Sequence, residues 1–282
     1  ATPRVESFFK AQNKNYKLLE IPALNLDSKK TPPSDIFLVD MKKERWIKNY
    51  SCISKKLKSE IAYALKNSLQ TILFINRQGM SNFSVCKSCK TVLKCPKCDC
   101  ALVYANSGEY KCVHCAFISS AIPNCSKCKG IEFKNVGLGT QKVEKEVADF
   151  FPGAKILRID TEKVKEKDFQ KYAYEQFSQG KIDILIGTQM ITKGWDLPKL
   201  SLVGVIDADN SFTIPDFRAG EKAWQDLVQL SGRVSRPGAK FPGSVIIQTY
   251  HPENKLLKSV VEKDYLSFYK KELSDRESLN YP

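Results

Sequence analysis

Residues 71–76 read TILFIN, an apolar run with no polar alternation until Asn76. A strand with one wet face alternates; a strand covered on both faces, as in the middle of a parallel sheet, does not. Immediately upstream, Ile53, Leu57, Ile61, Leu65 and Leu69 recur every four residues, the stripe of an amphipathic helix. Before that helix, Ile36–Asp40 (IFLVD) is a second buried strand, preceded by a polar loop, Lys29–Ser34, that carries Pro32 and Pro33. Tyr16–Ile21 reads as a short strand.

Downstream, past a cysteine-rich block, the alternation resumes. Val143, Val147 and Phe150 mark a helix after Gly139, and Lys155–Ile159 (KILRI) a strand. Phe169, Tyr172, Ala173 and Phe177 mark a helix that Gly180 ends. Asp183–Gly187 (DILIG) and Leu202–Ile206 (LVGVI) are strands, and Ala223, Trp224, Leu227 and Val228 face inward from another helix. Ser244–Thr249 (SVIIQT) is a strand, and Leu256, Leu257, Val260, Val261, Tyr265 and Phe268 line one last helix. Strand alternating with helix predicts an α/β fold, an open and mostly parallel sheet flanked by helices. The cysteine block interrupts it between a strand and the next helix, so the expectation is one α/β domain with an inserted module at 83–132, flanked by 1–82 and 133–282. There is no internal repeat and no low-complexity tract.

The chain has 282 residues, 42% hydrophobic and 27% charged, enough for a real core. Its formal net charge is +14, distributed as +8 over residues 1–80, +5 over 81–130 and +1 over 131–282. A basic first half is either a solvated surface or an attraction to nucleic acid, and the asymmetry favours nucleic acid as partner. No stretch approaches the roughly 20 apolar residues of a membrane span, and ATPRVESFFK has no apolar signal-peptide core. The expected setting is the cytoplasm, without membrane. In that reducing compartment ten cysteines point to metal, not to disulfides.

Nine of the ten lie between residues 86 and 128, and four C-x-x-C pairs emerge: Cys86/Cys89, Cys95/Cys98, Cys112/Cys115 and Cys125/Cys128. Each pair suits a tight turn aiming two thiolates at one ion, and two such turns complete the four-cysteine form of structural zinc. Eight ligands predict two Zn²⁺. Iron–sulfur clusters also take four cysteines, but usually without evenly paired turns. Strands at Ala101–Tyr104 and Tyr110–Val113, around Asn106-Ser107-Gly108, read as a hairpin that brings Cys95/Cys98 to Cys112/Cys115. Cys86/Cys89 then join Cys125/Cys128, a nested arrangement. Cys100 is left as a spare thiol, His114 as an exposed side chain, and Cys52 as a small buried hydrophobe. Lys87, Lys90, Lys94, Lys97, Lys111, Lys127 and Lys129 are interleaved with the ligands and suit phosphate contacts or a solvated face.

In the second half, Gly187-Thr188-Gln189-Met190 follows a strand and leads to Thr192-Lys193-Gly194-Trp195-Asp196, and QLSGRVSR, from Gln229 to Arg236, ends a helix. Together, in this order, they resemble motifs V and VI of superfamily-two helicases. With the paired cysteines, GTQMITKGWDLP, VIDADNSFTIPDFRA, IIQTYHPE, FINRQG and the opening ATPRVES, the whole chain resembles the family of primosomal replication-restart helicases. The resemblance implies a RecA-like second helicase lobe: 1–82 its first part, 83–132 the zinc insertion, 133–282 the remainder with motifs V and VI. It implies ATP and Mg²⁺ bound between two lobes in the full-length enzyme. Arg233 and Arg236 match arginines that act on the phosphates, where a guanidinium stabilises developing charge, with Gln229 organising the same surface. Gly194 and Asp196 fall on the nucleotide side. Thr188, Gln189 and Lys193 fall where motif V meets a DNA phosphate. Asn76 and Arg77 end a strand at the edge where parallel sheets place ligands, a further DNA contact. Ser235 stands where the family usually has Gly, and Trp195 where it often has His. The implied activity is 3′-to-5′ DNA unwinding at stalled or branched forks and their single-stranded/double-stranded junctions, with primosome proteins and single-stranded DNA-binding protein as partners. The chain has neither G-x-x-x-x-G-K-[ST] nor a DEAD- or DEEH-like motif, so alone it is expected not to hydrolyse ATP. A non-enzymatic zinc-ribbon module and a redox protein using its C-x-x-C pairs are the rival readings.

Overall fold

A computed structural model describes residues 2–19, 34–75, 83–89, 91–97, 102–104, 108–112, 115, 117–119, 124–136, 140–159, 169–188, 195, 197–211, 216–234, 241–279 and 281. Two sheets form. The first holds six strands, β1 (Ser34–Asp40), β2 (Gln70–Ile75), β8 (Ile156–Ile159), β9 (Ile184–Gly187), β10 (Leu200–Ile206) and β11 (Gly243–Thr249). Their order is β1-β11-β10-β2-β9-β8, and every pairing is parallel. β2 and β10 occupy the middle of this order and are buried along their whole length, as the unbroken apolar runs require. The helices that return the chain are α3 (Lys55–Lys66), α4 (Thr140–Phe150), α5 (Phe169–Ser178) and α6 (Ala219–Ser231).

Sequence chemistry sets the helix ends. The Ser54 hydroxyl accepts from the Leu57 N–H at 3.1 Å and starts α3. Gly180, at φ +75°, takes the left-handed turn after α5 that side chains resist. Leu57 and Ile61 of α3 pack with Leu73, Ile75, Leu202 and Ile206 in one core. A Cβ on Gly204 would meet Leu57 Cδ1 and Leu73 Cδ2 at 2.8 Å, so this strand position must be bare for α3 to sit directly on the sheet. Trp224 of α6, Phe177 of α5 and Val203 belong to a second core.

Three elements depart from the sequence reading. Tyr16–Leu19 form no strand: Tyr16, Leu18 and Leu19 are exposed and no neighbouring strand pairs with them, while Glu20 and Ile21 lie outside the described residues. The N-terminal segment instead makes α1 (Val5–Gln12), which buries Val5 and Phe8. A short helix, α2 (Met41–Trp46), follows β1 directly, with Asp40 accepting from the Lys42 N–H at 2.8 Å. The last helix is two: α7 (Lys255–Glu262) ends at Lys263, φ +55°, and Asp264 caps α8 (Tyr265–Ser278). The apolar stripe runs across this break because Tyr265 and Phe268 pack on Trp224 from the second helix.

A buried ion network ties α1, α6 and α8 together. Arg276 Nη2 lies 2.7 Å from Glu221 Oε2 and 3.0 Å from Glu272 Oε1, and its Nη1 3.4 Å from Glu6 Oε1. Glu221 also accepts from the Val5 N–H at 3.3 Å. Removing one partner of such a pair leaves a buried charge uncompensated. Arg276→Ala should therefore cost about 3–5 kcal/mol of stability, read as a lower midpoint in urea; a midpoint equal to that of the unsubstituted chain would contradict the network's role.

The second sheet is antiparallel, in the order β6-β5-β4-β3-β7, from β3 (Phe83–Cys86), β4 (Leu102–Tyr104), β5 (Tyr110–Cys112), β6 (Ile118–Ser119) and β7 (Phe133–Val136). All of it lies in sequence between β2 and α4. β4 and β5 pair as a hairpin, Leu102 opposite Cys112 and Tyr104 opposite Tyr110. Its buried apolar cluster is small, Leu93, Cys95, Leu102, Tyr110 and Cys112, flanked by Phe117 and Phe133. Among the described residues no helix is long and apolar enough to cross a membrane.

Candidate functional site

The five-stranded sheet gathers cysteines into two groups. In the first, Cys86 ends β3, Cys89 closes the turn after it, and Cys125 and Cys128 flank a turn ahead of β7. The four Sγ atoms all lie within 4.8 Å of one another, with Cys86 to Cys128 at 3.4 Å and Cys89 to Cys125 at 3.5 Å. A tetrahedral ion with Zn–S of about 2.3 Å needs sulfurs roughly 3.8 Å apart, so the set fits one zinc. The backbone fixes both turns. The Cys86 N–H donates to the Thr91 carbonyl and the Lys129 N–H to the Cys125 carbonyl, each at 2.9 Å, with Lys129 at φ +60°. In the second group Cys95, Cys112 and Cys115 come together, Cys95 to Cys115 at 3.5 Å, and the Lys97 N–H donates to the Cys95 sulfur. Cys98, the fourth ligand expected there, lies outside the described residues, as do Cys100 and His114.

Electrostatics of the first group favour a cation. The Thr91 hydroxyl and backbone N–H stabilise the Cys89 thiolate and bring its pKa down to about 6. The Cys89 N–H lowers Cys86. The Gly130 N–H acts the same way on Cys128, but the neighbouring Cys86 and Cys89 sulfurs outweigh it and push Cys128 up to about 12. Four sulfurs at this spacing ionise in turn, the last against the charge of the others, unless a divalent ion supplies the opposing charge. Of the interleaved lysines, Lys87 pairs with Glu132 at 3.3 Å, Lys111 with Glu109 at 3.2 Å, and Lys97 lies over the Phe117 ring. Cys52 is buried apart from both groups; its thiol donates to Glu146 Oε2 at 3.0 Å, and burial, reinforced by Glu146, pushes its pKa up.

The parallel sheet carries the other candidate residues. Thr188 is buried at the carboxyl end of β9, between β2 and β8. Arg233, just past α6, is 7% exposed and donates from Nη1 to the Trp195 carbonyl at 2.7 Å. The segments QLSGRVSR and GTQMITKGWD, 38 residues apart at this contact, thus meet at one point. Trp195 packs on Tyr174 with ring centroids 5.4 Å apart. Gln229 is exposed in a groove with Arg4, Arg218, Lys222 and Gln225. Asn76, Arg77, Gln189, Lys193, Gly194, Asp196 and Arg236 lie outside the described residues.

Two contributors escaped the sequence reading. Thr91, two residues past Cys89, supplies the hydroxyl to its sulfur, and a C-x-T spacing is the signal for it. The Trp195 carbonyl holds Arg233, and no side-chain pattern announces a backbone acceptor.

Residues 131–238 match the family model described as helicase conserved C-terminal domain. The replication restart protein PriA of Bacillus subtilis is 37% identical over 283 residues, covering 100% of this chain and 34% of that protein. Over the whole length the sequence is of the same kind. Along all of it, the chain is similar to replication restart proteins PriA. PriA of Synechocystis sp. is 38% identical over 291 residues, covering 100% of this chain and 34% of that protein. PriA of Chlamydia trachomatis is 36% identical over 286 residues, covering 100% and 37%. The lobe spans about a third of the length of the curated relatives it matches. Among solved structures, S. cerevisiae Dbp5 bound to RNA and ADP BeF3 has a TM-score of 0.40 at 12% identity, over 93% of this chain and 46% of that one; the parallel sheet and its strand order define the fold without it.

Proposed function

We propose that this lobe completes the ATP site of a 3′-to-5′ DNA helicase acting at stalled or branched forks, and that its cysteine module is a two-zinc structural insertion. The observation that carries the reading is the contact between Arg233 and the Trp195 carbonyl. It locks the arginine-bearing segment to the loop after β9, so closure on a partner lobe delivers guanidinium and loop together. Arg233 and Arg236 then stabilise charge developing on the transferred phosphoryl group, with Mg²⁺ on the phosphates. Gln229, Gly194 and Asp196 shape that face. Thr188, Gln189 and Lys193, which follow β9 in sequence, and Asn76 and Arg77, which follow β2 in sequence, hold the DNA backbone, and alternating grips move the lobes along one strand.

In the module, Cys86, Cys89, Cys125 and Cys128 hold one Zn²⁺, and Cys95, Cys98, Cys112 and Cys115 the other. Zinc there supplies cross-linking charge, not chemistry, because four protein ligands leave no open position. The module, drawn at residues 83–132, presents a surface to fork junctions or to primosome proteins and single-stranded DNA-binding protein, in the cytoplasm.

The experiment is DNA-stimulated ATP hydrolysis by the full-length parent carrying Arg233→Ala, with the 282-residue chain alone as the control expected to show no hydrolysis. A parent whose hydrolysis survives the substitution would hand the chain to the other reading, a zinc-ribbon binding module on an inert scaffold.

A further inference from the structure

The +8 of residues 1–80 has a concentrated outlet on α2 and the turn after it, Met41 to Tyr50. Here Lys42, Lys43, Arg45 and Lys48 are exposed. So are Trp46 at 81% and Tyr50 at 67%. An indole this bare on a six-residue helix does nothing for the core.

The acid of this segment, Glu44, and the one just before it, Asp40, are turned to other work. Asp40 caps α2 by accepting from the Lys42 N–H. Glu44 is buried and accepts from Asn49 Nδ2 at 2.6 Å and from the Lys55 N–H at 3.1 Å. The outer face therefore shows cations and aromatic rings, with the Asp40 carboxylate held at the start of the helix by its cap; Glu253, beyond β11, is close enough to feel the Lys42 charge. Lys42 and Lys43 stand three or four residues before Trp46, so their ammonium groups lie on the same side of the helix as the indole. The Arg45 guanidinium sits 5.7 Å from the Tyr50 ring centroid and donates to the Tyr250 hydroxyl at 3.1 Å, which holds it at the sheet edge.

The position is continuous with the DNA-facing edge proposed above. α2 begins at the carboxyl end of β1, and Asp40 is in register with Thr249 of β11. Thr188 follows the carboxyl end of β9, four strands along in the same all-parallel sheet. At about 4.8 Å per strand that is roughly 19 Å, or about six nucleotides of a stacked strand at 3.4 Å each.

We propose that α2 and Tyr50 form a binding site for single-stranded DNA, with a base stacked on Trp46 and backbone phosphates held by Lys42, Lys43 and Arg45. Stacking on an aromatic face tolerates any base, and cations beside it track the backbone, the pairing that sequence-independent single-strand binding requires. The proposal rests on the nucleic-acid reading of this lobe and adds to it a site that the helicase motifs do not include.

The test is fluorescence anisotropy of a labelled 20-nucleotide oligothymidylate with the zinc-loaded 282-residue chain, as Trp46→Ala, Trp46→Phe and Lys43→Gln. Trp46→Ala should weaken binding roughly 5- to 150-fold, the range of one base–aromatic stack, whereas Trp46→Phe keeps most of the affinity. Lys43→Gln should flatten the slope of log K against log salt by about 0.7. Because these side chains are exposed, the melting temperature should not move. If Trp46→Ala binds like the unsubstituted chain, or if Trp46→Phe loses as much as Trp46→Ala, the stacking site is wrong while the lobe's DNA binding stands. If the unsubstituted chain itself fails to bind, both readings fall. A Trp46→Ala chain that keeps its oligothymidylate affinity but loses a glutamate-rich peptide would overturn the proposal in favour of an acidic protein partner.

Discussion

On the two-zinc reading, a chelator should unfold the five-stranded sheet and leave the six-stranded sheet standing. The module's buried cluster is five residues, two of them cysteines from the ligand sets. A core of that size does not offset the ordering of some fifty residues, and small domains of this kind take their stability from cross-links. In zinc-finger peptides structural zinc contributes about 10–16 kcal/mol of apparent binding free energy at pH 7, which is folding free energy where no site preexists. The parallel sheet has its own two cores and shares none of these ligands. Metal analysis should give two zincs per chain. After chelation, proteolysis or hydrogen exchange should open residues 83–136 while α3, β2, β10 and β11 stay protected. Unchanged protection over 83–136 would mean that the metal is not structural. Acid should act in the same direction as the chelator. Each bound sulfur gives up a proton, so its pKa in the loaded state lies below that of the free thiol. The metal-linked stability is then complete above the free thiol pKa of about 8.5 and declines as pH falls.

The second large effect belongs to Arg233. On the proposed reading, Arg233→Ala in the full-length parent should lower the DNA-stimulated ATPase rate by about 10³–10⁵, the worth of an arginine that meets a transferring phosphoryl group. The substitution also leaves the Trp195 carbonyl without the Nη1 donor at 2.7 Å. A hydrogen bond from a charged donor contributes about 1.5–3 kcal/mol, and its loss is enough to lower the melting temperature without stopping chemistry. Arg233→Lys separates the two. It keeps a charge but not the planar fork, so it should recover part of the stability while the turnover number stays low. Affinity for DNA should hold in both variants, because the DNA contacts proposed for Thr188, Asn76 and Arg77 do not include Arg233. A turnover number within threefold of the unsubstituted enzyme would remove Arg233 from the ATP site.

Much of this architecture is written locally in the chain. TILFIN, LVGVI and SVIIQT announce covered strands because a parallel sheet leaves no wet face to encode. The nested gathering of cysteines follows from a hairpin whose two three-residue arms, Leu102–Tyr104 and Tyr110–Cys112, pair with each other. What was not legible depends on contacts distant in sequence. Tyr16–Leu19 has the residues of a strand but pairs with no strand among the described residues, and α1 is held because Phe8 finds Tyr265 and Tyr269 of α8, over 250 residues away. α7 and α8 share one apolar stripe, and only the left-handed Lys263 and the Asp264 cap divide it. In the site, Arg233 is legible as a motif residue, but its acceptor is a backbone carbonyl and carries no side-chain signature.

The antiparallel pairing of β3 with β7 has a consequence for how fast the protein assembles. Phe83 stands opposite Val136, so the first and last strands of the insertion close on each other. About 64 residues separate the end of β2 from the start of α4. A newly made chain that must bring β2 beside β9 has to close a loop of 108 residues, residues 76–183, which includes this span. Once the insertion has formed, the span behaves as a tether of about a dozen residues. By the logarithmic law for loop closure this lowers the entropic cost by roughly 0.6 kcal/mol, or about threefold in rate if closure limits folding. The metal content of the medium would then set not only whether the insertion folds but how long the central strands wait, unpaired and open to aggregation, before they find each other.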